Sequence, residues 1–172
     1  MVSPNPEDIY SLIGFALTYT QSVEKNISFI TTFVLQDEED LTIEKLNSIE
    51  SKERKKVLGY FIGKLKSRVD LAPVLESLLA DFLKNRNDFI HNQDKIEGWD
   101  LDTEEGIAKA KVFTVTLWRQ AARINEILVA LMLRWQEQTG IYPPGARNDE
   151  PLIKEIDEKF GPYINVLFKE KT

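Results

Sequence analysis

Apolar residues in this chain recur three and four apart through two uninterrupted stretches, and that spacing fits one regular backbone. From Ile9 the series steps through positions 9, 13, 16, 20, 23, 27, 30 and 34, carrying Ile, Ile, Ala, Thr, Val, Ile, Ile and Val. A second series runs Ile107, Ala110, Thr114, Leu117, Ala121, Ile124, Leu128, Leu131 and Trp135. In an α-helix each residue turns about 100°, so either series lines one side of a rod; a strand, with period two, would scatter it over both faces. Rods with one apolar side must bury it against one another, which predicts an all-α fold. The first rod carries a further stripe, Leu12, Phe15, Tyr19, Phe29 and Phe33. One side then meets its own bundle, and the other meets either a partner subunit or more of the same core.

The remaining segments fill in the same architecture. Lys52 to Ser67 reads as a helix burying Val57, Leu58, Phe61, Ile62 and Leu65. Within it Gly59 and Gly63 stand i, i+4, which implies either close approach of another backbone or a flexible helix. Leu71 to Asn92 carries Leu71, Leu75, Leu78, Phe82 and Phe89 at helical spacing, with Asp70 and Pro73 suited to its first turn. Gln36 to Asp40 is an acidic solvated turn, and Leu41 to Ile49 suits a short helical turn. Thr103, followed by Glu104 and Glu105, opens the last long helix, and Gly140 ends it. After the loop around Pro143, Pro144 and Gly145, Asp149 and Pro151 start a short helix to about Phe160. Gly161 and Pro162 break that helix, leaving a tail from Tyr163 to Phe168 apolar enough to dock. Together these predict one helical domain over residues 1–172, an up-and-down bundle of four main helices. Its core spans about 7–139, and an appendage with a short C-terminal helix spans about 140–172.

Composition narrows the chemistry. With 172 residues the chain is long enough to bury a core. The absence of cysteine excludes disulfides and thiolate metal sites and makes a reducing cytoplasm the expected location. No apolar run reaches membrane-spanning length, and Met1 to Tyr10 lacks the layout of a secretion signal. Neither a phosphate-cradling glycine loop nor a zinc-type histidine pair is present. The acidic segment Asn92 to Asp102 has its glycine misplaced for a calcium loop. No metal or cofactor is expected. A formal charge of −6 argues against a general nucleic-acid binder. One stretch runs the other way: Lys52, Arg54, Lys55, Lys56, Lys64, Lys66 and Arg68 face only Glu53. It reads either as a solvated helix face or as a surface for an RNA backbone. Trp99 reads either as a base-stacking platform or as a plug over the core.

The sharpest signal is polar. Continued one turn beyond Phe82, the stripe lands on Arg86, and five residues later stands His91, the only histidine. A buried-side arginine is either an anchor, its fork held by a carboxylate or by helix-end carbonyls, or a functional cation. The run R-N-D-F-I-H, with Arg86, Asn87 and His91 as its specific part, resembles the R-x4–6-H motif of the HEPN superfamily. There the residue after the arginine is usually polar, often Asn, and the domain is all-helical; here the motif sits at the end of a leucine-rich helix. The likeness extends over the helical body at about 7–139. It implies a metal-independent ribonuclease working as a homodimer, with two motifs facing each other across the two-fold, in a toxin or phage-defence role. An antitoxin-type protein would then be a partner.

The residue types suit that chemistry. An imidazole is able to take or give the proton of a 2′-hydroxyl, a guanidinium holds the charge that gathers on phosphate, and Asn87, i, i+4 to His91, is placed to orient the ring. The expected products are a 2′,3′-cyclic phosphate and a 5′-hydroxyl. On a straight helix, however, Arg86 and His91 point about 140° apart. They then share a phosphate only if the helix bends, ends between them, or a second subunit completes the site. Some toxin members carry a modifiable tyrosine two residues after the histidine; here Gln93 stands there, which argues against that subfamily. Three classes follow: a ribonuclease, a catalytically silent bundle that binds nucleotide, RNA or protein, and a dimeric scaffold or adaptor in which Arg86 only anchors the core.

Overall fold

The structure, a computed structural model, describes residues 9–35, 42, 44, 48, 56–143 and 150–170. The acidic turn at 36–40, most of the short helical turn expected over 41–49, and Asp149 with residues 144–148 of the loop before it lie outside the described residues.

The fold is an all-α helical bundle. Helix α1 spans Ile9–Phe29 and widens into a π-helical turn over Ile30–Val34. Helix α2 spans Leu58–Arg68, α3 Pro73–His91, α4 Glu104–Gln138, α5 Pro151–Phe160, and the single turn α6 Ile164–Leu167. Strand β1, Val69–Leu71, pairs antiparallel with β2, Phe168–Glu170, in the register Val69↔Glu170, Asp70↔Lys169 and Leu71↔Phe168. The chain sorts into two compact units, the first formed by Met1–Glu24 with Ser77–Ile124 and the second by Lys25–Glu76 with Asn125–Thr172.

In the first unit, Ile9, Leu12 and Ala110 are buried together, and Ile13, Trp99, Leu101, Ile107 and Val115 pack on them. Trp99 meets Phe89 and Phe113 edge-on, each with ring centroids 6.0 Å apart. Of the two roles open to Trp99, the core plug is the one its packing fits. Helix α4 starts where expected: the Thr103 hydroxyl accepts from the Gly106 N–H at 3.2 Å, while the Asp100 carboxylate accepts from the Asp102 N–H and the Thr103 hydroxyl. The expected stripe is the buried side of this half of α4, with Ala110, Thr114, Leu117 and Ala121 all fully buried.

In the second unit, α2 buries Leu58, Phe61, Ile62 and Leu65. It begins at Leu58 instead of Lys52. Val57 precedes it in an extended conformation (φ −92°, ψ 159°), which swings its side chain into solvent, 67% exposed instead of buried. Gly63 has open space where a side chain would be, and among the described residues no backbone approaches it. Helix α3 begins at Pro73, as a proline at the first helical position favours. Asp70 falls in β1, ahead of that helix. Proline pushes its predecessor Ala72 out of the helical region, and Val69–Leu71 before it is extended, so the backbone groups of this stretch need partners. The C-terminal tail supplies them: β2 pairs with β1, and the Ala72 N–H donates to the Leu167 carbonyl at 3.0 Å. Ala72 itself then accepts the first helical bonds from Leu75 and Glu76. Ile164 and Phe168 are buried, so the tail does dock. Helix α4 ends in a Schellman turn: Gly140 adopts φ +71°, its N–H reaching Glu137 and that of Ile141 reaching Gln136. Arg134 donates to the Gly161 carbonyl at 3.3 Å.

Candidate functional site

Arg86, Asn87 and His91 all sit in the last turns of α3, in the first unit. One turn earlier Phe82 is fully buried, and that register carries Arg86 inward, leaving its side chain 14% exposed. It meets Glu24 of α1, which follows the buried Val23 and has 21% of its own side chain exposed. The pairing is two-pronged: Nε donates to Oε1 at 2.5 Å and Nη2 to Oε2 at 3.1 Å. Such a fork fixes the guanidinium plane as well as its position.

With that edge committed, Nη1 is the nitrogen left facing the helix end. It donates to Asn87 Oδ1 at 3.1 Å and lies 3.4 Å from His91 Nε2. The three motif residues are therefore gathered within one chain, contrary to the separation expected for a straight helix. The helix runs unbroken through both residues; the length of the arginine side chain closes the angle that the backbone opens. His91 is exposed, so the cluster has a part-buried anchor and a solvent-facing tip. Side-chain amides finish the helix: Asn92 Nδ2 reaches the Asn87 carbonyl at 3.4 Å, and Gln93 Nε2 donates to the Phe89 carbonyl at 3.0 Å. Gln93, which replaces the subfamily tyrosine, thus has a capping role here.

On the same helix, Lys84 bridges Asp88 at 3.1 Å, and both line an open groove of about 780 Å³ with Lys95, Ile96, Glu97 and Val112 among its walls. Across it Lys109 pairs with Glu105 at 2.8 Å. The hydrogen bond and charge of Lys109 hold the Glu105 carboxyl below its ordinary value, and Glu105 in turn raises the Lys109 ammonium. The basic lining residues Lys84, Lys95 and Lys109 are balanced by Asp88, Glu97 and Glu105, so the groove offers no net attraction to a polyanion.

The expected RNA-binding stretch belongs to the second unit. Lys52, Arg54 and Lys55 lie outside the described residues. Lys56 is exposed, its ammonium 5.1 Å from the centre of the Tyr60 ring, and Lys64 is half-buried. Lys66 pairs with Glu76 at 2.7 Å, and Arg68 donates to the Thr31 carbonyl. Those last two cations, like Lys64, already have partners in the chain. Among the described residues no three histidine, cysteine, aspartate or glutamate side chains gather as a metal site would need.

The sequence reading missed Glu24. A carboxylate was an expected partner for a buried arginine, but 28 acidic residues competed for the part. The available signal was its place beside the stripe, between Val23 and Ile27 on the inward side of α1.

Fold and site together define a class: an all-α helical bundle whose carboxylate-anchored arginine touches a lone exposed imidazole. Compared with protein-family models, with curated proteins and with solved structures, the chain matches none.

Proposed function

We propose that this chain is a cytoplasmic, HEPN-like, metal-independent endoribonuclease that works as a homodimer on the Arg86–Asn87–His91 cluster. The observation that carries the reading is the meeting of Arg86 Nη1 with both Asn87 and His91. In the proposed reaction a phosphodiester oxygen docks on the Nη1 edge of the guanidinium. His91 takes the proton of the adjacent 2′-hydroxyl, and the freed 2′-oxygen forms a bond to phosphorus. The bond from phosphorus to the 5′-oxygen breaks, and an imidazolium supplied by a second copy of the chain protonates that leaving oxygen. The products are a 2′,3′-cyclic phosphate and a 5′-hydroxyl, with atoms and charge in balance. Glu24 keeps the guanidinium in place while its tip is in use.

The test is cleavage of single-stranded RNA in EDTA, with product ends identified by mass. Wild type is expected to yield cyclic phosphate termini, and His91→Ala and Asn87→Ala to lose activity at unchanged helicity. RNA bearing 2′-deoxy residues at the cleaved positions is expected to survive. Persistent cleavage by His91→Ala would sink the proposal.

A second reading has its own observation. Glu24 already neutralises Arg86, and a cation so paired attracts phosphate less than a free one. A silent bundle that binds RNA or nucleotide without cutting it would show salt-dependent binding and no products.

A further inference from the structure

The contact between Arg86 and His91 constrains the ring's protons. A guanidinium nitrogen only donates, so the 3.4 Å approach of Nη1 to Nε2 is a hydrogen bond only when Nε2 carries a lone pair. The ring is then neutral, with its hydrogen on Nδ1. Nη1 has two hydrogens; the other points to Asn87 Oδ1 at 3.1 Å. Nε and Nη2 are spent on Glu24, so the guanidinium cannot turn away without breaking its fork. Nε2, the lone-pair nitrogen that would abstract a proton, is thereby occupied, and Nδ1, which is not basic in this tautomer, is the other ring nitrogen.

We propose that Arg86 holds His91 in the Nδ1–H tautomer with Nε2 sealed, and that a phosphodiester anion unseals it by taking the same Nη1 hydrogen. The substrate class that needs the base is then the one that releases it. Glu24 and Asn87 are positioning residues, since between them they leave Nη1 one hydrogen, aimed at the ring. An anionic oxygen is a stronger acceptor for a guanidinium N–H than an imidazole nitrogen at 3.4 Å, so the exchange runs toward phosphate. Without phosphate the base is idle. The unsealing half rests on the phosphodiester docking in the reading above and not on cleavage, whereas the sealing half rests on neither.

His91 is the only histidine, so the ring nitrogens of ¹⁵N-labelled protein report on this site alone. Their shifts, measured at a pH where the ring is neutral, give the tautomer directly. Wild type without ligand is expected to favour Nδ1–H by about two- to tenfold, the range that one hydrogen bond commands. Glu24→Gln and Arg86→Lys are expected to erase that preference at unchanged helicity. A 2′-deoxy dinucleotide, a phosphodiester that cannot be cleaved through a 2′-oxygen, is expected to erase it in wild type. A ligand-free ring that favours Nε2–H overturns the proposal, and this measurement stands even if either variant fails to fold. A sealed ring indifferent to the dinucleotide overturns the unsealing. A ring that seals and unseals as described in a protein that never cuts RNA leaves the inference standing and removes the ribonuclease reading instead.

Discussion

Arg86 and Glu24 show how little a residue's type says about its task until its partner is known. Two charges with only 14% and 21% of their side chains exposed are worth most when kept together, because a single one left behind is poorly solvated. Arg86→Ala is therefore expected to lower stability by about 2 kcal/mol. Glu24→Ala combined with Arg86→Ala should fall well short of the sum of the single losses, as urea denaturation in a double-mutant cycle would show. Activity lost in Arg86→Ala would then need to be read against its stability, which is why His91→Ala and Asn87→Ala are the cleaner probes. Thr20 makes the opposite point. It lies fully buried on the α1 stripe, and its hydroxyl has no hydrogen-bond partner among the described residues. Thr20→Val keeps the shape and removes a desolvated polar group, so the urea midpoint should rise, by about 1 kcal/mol in stability. A fall would mean that the hydroxyl has a bound water.

At the scale of elements, ends carry more of the specificity than middles. Helix α4 begins where Asp100 and Thr103 fold back over Gly106, and a Cβ at position 106 would run into the Asp100 carbonyl. Gly106→Ala improves helix propensity yet is expected to destabilise by about 2 kcal/mol, because backbone must move to admit the methyl group. Thermal unfolding followed by circular dichroism would register a lower midpoint; a higher one would mean that the turn relaxes freely. The pairing of β1 with β2 is the other such device. Three extended residues ahead of Pro73 find partners nearly a hundred residues away, and Phe168, 8% exposed, secures the tail beside them. Phe168→Ala should cost about 3 kcal/mol and speed hydrogen exchange at the Ala72 amide, which donates to Leu167.

For the whole molecule, charge limits what long-range attraction is able to do. A formal charge of −6 with a pI near 5.0 repels polyanions, so any RNA must be held by local contacts. Non-specific binding to duplex DNA is accordingly expected to be undetectable at physiological salt, and gel-shift titration at two salt concentrations would check this. Tight, sequence-independent retention of duplex DNA would contradict the charge argument. No helix among the described residues is long and apolar enough to cross a membrane.

The sequence alone determined that the chain is helical, because three-four periodicity repeated through two long segments leaves no other regular backbone. It also located the start of α4 at Thr103 and its end at Gly140, since capping chemistry and glycine's left-handed turn are local properties, and the docking of the tail, from its apolar content. It placed Arg86 on the inward side by extending a stripe. What only the tertiary structure decided were matters of distance between remote residues: which of 28 carboxylates receives Arg86, and which strand completes β1. The gathering of Arg86 and His91 was likewise beyond backbone periodicity, because a helical wheel records directions and omits the reach of a long side chain. That reach, fixed by a carboxylate sixty-two residues away, is what brings the guanidinium to the ring.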